Sequence, residues 1–163
     1  MPDKVERVKM PLDAPEREML TGALDFQRAT LLHKINGVSE EKAREAVMAP
    51  STLSLLSLVK HLGYVERWWF QAVFAGKGET VEIVEDDFQL EPGDTLESVT
   101  GFYKAETEES RRITAAAGLD NMAQLEGFER NLRWVLVHMI EETARHNGHA
   151  DFLREAIDGQ TGQ

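Results

Sequence analysis

The chain has 163 residues, 42% of them apolar and 29% charged, with a formal charge of -11 and no cysteine. Its length suits one domain with a sizeable core and is short for two, while the acidic balance repels phosphate backbones and anionic lipid heads. Nucleic acid and membrane are therefore excluded as expected partners, and disulfides, thiolate ligands and a protein thiol nucleophile are excluded outright. No window reaches the roughly 20 apolar residues of a spanning helix, and the start, Met1-Pro2-Asp3-Lys4-Val5-Glu6, lacks a signal-peptide core. The expected compartment is the cytoplasm, and any thiol chemistry has to use a thiol from outside the chain.

Taken in order, Asp13-Ala14-Pro15-Glu16 reads as a helix start, with proline in the first turn and acids near the positive end of the dipole. Leu20, Leu24, Leu31 and Ile35 then recur at helical spacing until Asn36-Gly37, which predicts a first helix over roughly residues 14–36. Ser39 before Glu40-Glu41 caps a short helical turn, and Pro50-Ser51 breaks the pattern. A second helix is expected from about Thr52 to Ala75, closed by Gly76, with Ser54, Leu58, His61, Tyr64, Val65 and Trp68 on one face. His61 on that face is either a hydrogen-bonded core histidine or a ligand. Trp68-Trp69-Phe70 is first a packing feature and second a wall for a ligand.

Residues 76–94 are acidic and punctuated by glycine and proline, which fits a lid or binding loop and equally a solvated crossover. Asp94-Thr95-Leu96-Glu97 reads as a capping box opening a third helix, with Leu96, Val99, Tyr103, Ile113 and Ala117 on one face and Gly118 as the stop. Glu106 and Ser110 interrupt that stripe; they either line a pocket or mark a narrow apolar face. After a connection over about 118–130, a fourth long helix is expected from Asn131 to Ile157, followed by a frayed tail, Gln160 to Gln163. The predicted architecture is all-α, a bundle of four long helices forming a single domain with its core over about 14–158.

The fourth helix carries the chemistry. Successive residues turn by about 100°, so Glu142, His146 and His149 share one face with Val135, Met139, Leu153 and Ile157. A carboxylate on an apolar face must be neutralised, paired or bound to a cation. His61 with Glu142 and His146 makes a set of two imidazoles and one carboxylate, leaving coordination positions open as catalytic sites do. Zinc suits that set; nickel, manganese and ferrous iron accept it too. Two rival signatures fail. A di-iron bundle needs Glu-x-x-His, but Arg145 stands three residues after Glu142 and Ala144 three after Glu141, and no His-Glu-x-x-His string occurs.

Leu58 to Phe70, with His138-Met139-Ile140-Glu141-Glu142 and Arg145-His146-Asn147-Gly148-His149-Ala150-Asp151, resembles the DinB superfamily, and Pro50-Ser51-Thr52-Leu53-Ser54-Leu55-Leu56 extends the likeness over about residues 14–158. Within the superfamily the chain is similar to the actinobacterial branch that includes the DinB-like domain of mycothiol-dependent maleylpyruvate isomerase. The resemblance implies a four-helix bundle, often a dimer, with a metal held by three side chains. The first family histidine falls on His61 in its His-Leu-x-x-x-Glu context, and the last ligand falls on His146. Many members have histidine four residues earlier; this chain has Glu142, as the isomerase does. His149 stands where many members have glutamine and is assigned a role in the pocket, with catalysis as general base its functional form. Tyr64, Trp68, His138 and Glu106 are the remaining pocket candidates, and His33 is a surface histidine.

The implied activity is a metal-dependent thiol S-transferase, or an isomerase acting through thiol addition. It would join a low-molecular-weight thiol such as mycothiol to an electrophilic small molecule. Two other classes stay open: a bundle that binds metal or a small molecule without turnover, and a metal-dependent hydrolase with a bound hydroxide. The isomerase has an additional domain that this chain lacks, so substrate contacts from that domain are not expected here.

Overall fold

The protein is described from a computed structural model over residues 6–162; the expectations for the start before Glu6 and for Gln163 lie outside the described residues. Helix α1 runs Glu16–Ile35, with Glu16 and Glu18 in its first turn and Pro15 immediately before it, where a missing N–H costs no hydrogen bond. Helix α2 is the short turn Glu40–Arg44, capped by the Ser39 hydroxyl, which accepts from the Lys42 N–H at 3.3 Å. Helix α3, Leu55–Glu66, begins three residues later than the periodicity predicts. The reason is Ser54: its N–H donates to Ser57 Oγ at 3.0 Å while its hydroxyl accepts from the Ser57 N–H at 3.2 Å. The pair is a capping box built from two serines.

The expected second helix does not stay α-helical. Residues Arg67–Phe74 continue α3 as a π-helical segment, and the Ala75 N–H reaches back to the Phe70 carbonyl at 3.0 Å. Each wide turn holds an extra residue, so the tryptophans at 68 and 69 leave the 3.6-residue phase that a sequence reading assumes. Gly76, at φ 66°, ends the segment in the left-handed region.

Helix α4, Leu96–Ala115, is capped one residue later than expected, by a reciprocal Thr95–Ser98 pair with bonds of 2.8 and 3.0 Å. Asp94 is instead a tether: its carboxylate accepts from Lys60 Nζ at 2.8 Å and from the Glu91 N–H at 2.7 Å. Helix α5, Leu132–Asp158, starts at Asn131, whose side chain accepts from the Trp134 N–H at 2.9 Å, and ends at Gly159 with φ 76°. Among the described residues there is no β-strand, only an isolated antiparallel bridge between Met122 and Asn131. No described helix is long and apolar enough to cross a membrane.

Helix α1 packs chiefly on α5 and α3 on α4, and the two pairs close into a helical bundle in which α3 meets α5 along a shorter seam. The apolar core divides in two. One cluster gathers Leu31, Leu55, Leu58, Leu62, Tyr103 and Leu153; the other gathers Leu24, Phe70, Phe74, Leu132, Leu136 and Met139. Each long helix passes from one cluster to the other across buried polar residues: Arg28 on α1, Glu66 on α3, Glu106 and Ser110 on α4, and Thr143, His146 and Asn147 on α5. A polar layer thus crosses the bundle between two apolar ends. Its members must be paired, because an unpaired buried charge costs several kcal/mol. Arg28 does this with a two-bond fork to Glu66, both bonds 2.7 Å, and the Asn147 amide donates to the Gln27 carbonyl at 2.9 Å.

Candidate metal centre

The buried stripe of α5 runs through Met139, Thr143, His146, Asn147 and Ala150, which places Glu142 at its half-buried margin and His149 outside it. Facing that margin is His61, half-buried on the second turn of α3. The shorter α3–α5 seam therefore brings together one carboxylate and two imidazoles. Glu142 Oε1 lies 3.2 Å from His146 Nε2 and 3.7 Å from His61 Nε2, and one ligand atom from each residue falls within 4.8 Å of the others.

His61 is held from both sides. Its Nδ1 is 2.8 Å from Asp87 Oδ1, and its ring stacks on Phe88 with centroids 3.9 Å apart and planes 15° from parallel. A carboxylate at Nδ1 accepts the ring proton there and leaves Nε2 bare. That Nε2 is buried and has no hydrogen-bond partner. Leaving such an acceptor unmatched costs about 1–3 kcal/mol, and a cation is what fills it at no expense in donors. Ligand atoms about 2.0–2.2 Å from a tetrahedral zinc stand about 3.4 Å apart, close to the two separations seen here. The donor set, the orphaned nitrogen and the spacing all fit a divalent ion.

Burial, and next the neighbouring His61, hold His146 below the usual histidine range. The neutral imidazole, the form that binds metals, is favoured. The other ring nitrogen of His146, Nδ1, lies 3.2 Å from His149 Nδ1. When His146 Nε2 is committed to a ligand, its Nδ1 carries the proton and His149 accepts it. His149 thus stands behind His146, on the side away from Glu142.

Residues 19–159 match the family model described as mycothiol-S-transferase. The chain belongs to the mycothiol-S-transferase family. None of the curated proteins compared matches it. The family is DinB-like, so the resemblance carried by the two histidine-bearing segments agrees with it, and the function it names is mycothiol-dependent thiol transfer.

Around the triad of this S-transferase, Tyr64 and Trp68 line a cavity of about 150 Å³ with Val65, Ile83, Val84 and Asp87. His138 is half-buried one turn before Glu142, stacked on Trp134 at 4.9 Å and tilted against Trp69 at 4.6 Å. The Glu106 carboxylate is engaged by Arg67, at 2.7 Å, and by Gln71, at 2.5 Å. Ser110 donates its hydroxyl proton to the Glu106 carbonyl. A larger cavity of about 270 Å³ between α1 and α4 holds Arg17, Arg28 and Arg111. Each of these is already bonded, to carbonyls or carboxylates.

Asp87 and Phe88 are the residues that sequence reasoning missed. They lie in the acidic connection, where no periodicity phases a side chain, and the only signal was the length of that loop. It folds over His61 because Lys60 bonds both the Gln89 carbonyl, at 2.6 Å, and Asp94.

Proposed function

We propose that this family member transfers the thiol group through a divalent ion, zinc, held by His61, Glu142 and His146, within a single helical domain. The observation that carries the reading is the bare, buried Nε2 of His61 aimed at Glu142. An ion bound there supplies a Lewis acid that lowers the pKa of a bound thiol, as it does that of bound water. The residues of the chain do the rest. Asp87 fixes the tautomer of His61, and His149 fixes that of His146, so His149 acts as a positioning residue. Glu142 engages the imidazoles through Oε1, and its Oε2 has no hydrogen bond among the described residues, so it is placed to receive the thiol proton.

In the balanced reaction the S–H bond breaks, its proton passes to Oε2 of Glu142 and then to solvent, and sulfur forms a bond to an electrophilic carbon. Either a leaving group departs with the electron pair, or a conjugated double bond accepts the pair and then a proton. The apolar cavity lined by Tyr64, Val65 and Trp68 adjoins Asp87 and is the place for the electrophile. We also propose a homodimer, on the family resemblance, and a cytoplasmic location, in keeping with the lack of a described helix able to cross a membrane; sedimentation of the purified chain tests the first point.

The test is metal content by mass spectrometry of untagged protein, beside conjugation of mycothiol to a fluorogenic halide. We expect about one divalent ion per chain, its identity showing zinc against nickel or manganese, and turnover that needs both ion and thiol. Glu142→Ala and His146→Ala should each lose the ion while keeping helical circular dichroism. Product formed without thiol would replace this reading by hydrolysis, and a protein that refuses all three metals would leave a binding bundle.

A further inference from the structure

All three tryptophans of the chain meet in one place, at the margin of the second apolar cluster, against which Trp69 packs, and none is fully buried. Trp68 and Trp69 both pack edge-on to Phe128, at 5.8 and 6.2 Å, and Trp69 lies 5.2 Å from Trp134. Trp134 is 40% exposed. Over it, at 4.7 Å, sits the guanidinium of Arg130, which also lies 5.5 Å from Phe128. The Arg130 guanidinium makes no ion pair or hydrogen bond among the described residues, and its buried Nε has no partner. This is unusual in a chain with 29 acidic residues. Below it opens a surface recess of about 480 Å³ lined by Met122, Gly127, Glu129, Arg130, Asn131 and Trp134.

The ledge is continuous with the metal centre. Trp134, His138, Glu142 and His146 follow one another at four-residue steps and form a single ridge of α5. Arg130, Trp134 and His138 are stacked along that ridge, and the next residue on it is the carboxylate of the triad. From Trp134 to Glu142 the helix rises about 12 Å. An electrophile must touch sulfur beside the ion and cannot reach that far. The other end of a long thiol can. Mycothiol is an acylated cysteine joined through an amino sugar to a cyclitol, and its polyol end carries no charge. Rings of this kind offer C–H faces to indole, whose face is electron-rich, and hydroxyls to a guanidinium with free donors.

We propose that the Trp134–His138 ledge, with Trp69 beside it and Arg130 at its end, is the subsite for the sugar and cyclitol rings of the thiol substrate. The inference rests on the thiol-transfer reading for what occupies the ledge, and it adds how the enzyme tells mycothiol from a simpler thiol. Stacking on Trp134 and hydrogen bonds from Arg130 orient the rings, and the cysteinyl arm runs along the ridge toward Glu142.

Two measurements test it. The first titrates intrinsic tryptophan fluorescence with glucosaminyl-inositol, the thiol's ring portion without its cysteine, on the native protein and on Trp134→Ala and Arg130→Gln. We expect a saturable change in the native protein that is absent or at least tenfold weaker in both variants. No saturable change in the native protein overturns the subsite, whatever the outcome for catalysis. The second compares kcat/KM for mycothiol and for N-acetylcysteine. Trp134→Ala should reduce the preference for mycothiol about tenfold, the loss of one aromatic contact, chiefly through KM, and Trp134→Phe should recover part of it. A loss that strikes both thiols equally overturns the proposal. If neither thiol is conjugated, the functional reading fails, and the fluorescence titration still decides the ledge.

Discussion

Asp87, on the acidic connection between the π-helical segment and α4, accepts the Nδ1 proton of His61 at 2.8 Å. A loop residue thereby sets which nitrogen of a helix residue faces Glu142. Removing such a partner weakens metal binding about 10–100-fold. Asp87→Ala is expected to lower zinc affinity by that factor, read by competition with a chromophoric chelator, without loss of helical signal. Unchanged affinity would show that the ring needs no help from the loop.

If the triad holds zinc as proposed, the ion should also raise thermal stability, since the unfolded chain lacks the site. At a free concentration 100 times its Kd the ion adds about 2.7 kcal/mol. The expected melting temperature climbs with free zinc in the native protein and stays flat in His146→Ala. Chelator should return the native protein to the metal-free value with its helices intact, because the two apolar clusters are built from side chains other than the three ligands. A rise of equal size in His146→Ala would place the ion elsewhere.

The buried fork between Arg28 and Glu66 makes a separate prediction. Phe70 lies under the guanidinium at 5.7 Å, and Glu66 is almost wholly buried. Glu66→Leu removes both bonds of the fork and leaves the buried guanidinium with Asp25, at 2.9 Å, as its carboxylate, and is expected to cost up to about 3–5 kcal/mol. The double replacement Arg28→Met with Glu66→Leu should recover most of that loss. Urea unfolding measures both. A single variant no less stable than a surface change would refute the assignment.

Asp94 contributes to stability on the acid side. Burial opposes its ionisation, but Lys60, the Glu91 N–H and Arg44 together hold its carboxyl below the usual value. A folded pKa depressed from about 3.9 contributes stability that is complete above that value and is lost as pH falls through the folded one. Asp94→Asn is therefore expected to be less stable at neutral pH and to show a flatter decline below about pH 4. Urea midpoints taken across the acid range check it; parallel curves for the two proteins would count against the tether.

The bundle was legible because its signals are repetitive. Leu24 and Leu31, or Val135 and Met139, fall at helical intervals, and Ser39, Asn131 and Gly159 punctuate them where the structure also does. The convergence of His61 with Glu142 and His146 could be posed because all three lie on regular helices whose faces can be counted. Three features escaped. Ser57 and Ser98 answer their caps as serines rather than as glutamates, which shifts two helix starts. His149 shares an angular sector with Glu142 but lies beyond the width of the buried stripe, which periodicity does not report. Asp87 and Phe88 reach the site through a loop whose path depends on the bonds of Lys60 to Gln89 and Asp94, which no helical or strand period reports.

The π-helical segment has one more consequence, for how the molecule is phased. Its last carbonyls, Val73 and Phe74, accept from the Leu125 and Gln124 N–H groups at 3.1 Å, so the segment is fastened at its far end while His61 is fixed at the near end by Asp87. Between those two anchors the surplus residue acts as a rotational offset. Removing one residue just before Trp69 would turn that side chain by about 100° relative to His61, carrying it off the His138 ring. The facing of Trp69 toward His138 is thus written as an angle, set by a single amino acid of chain length.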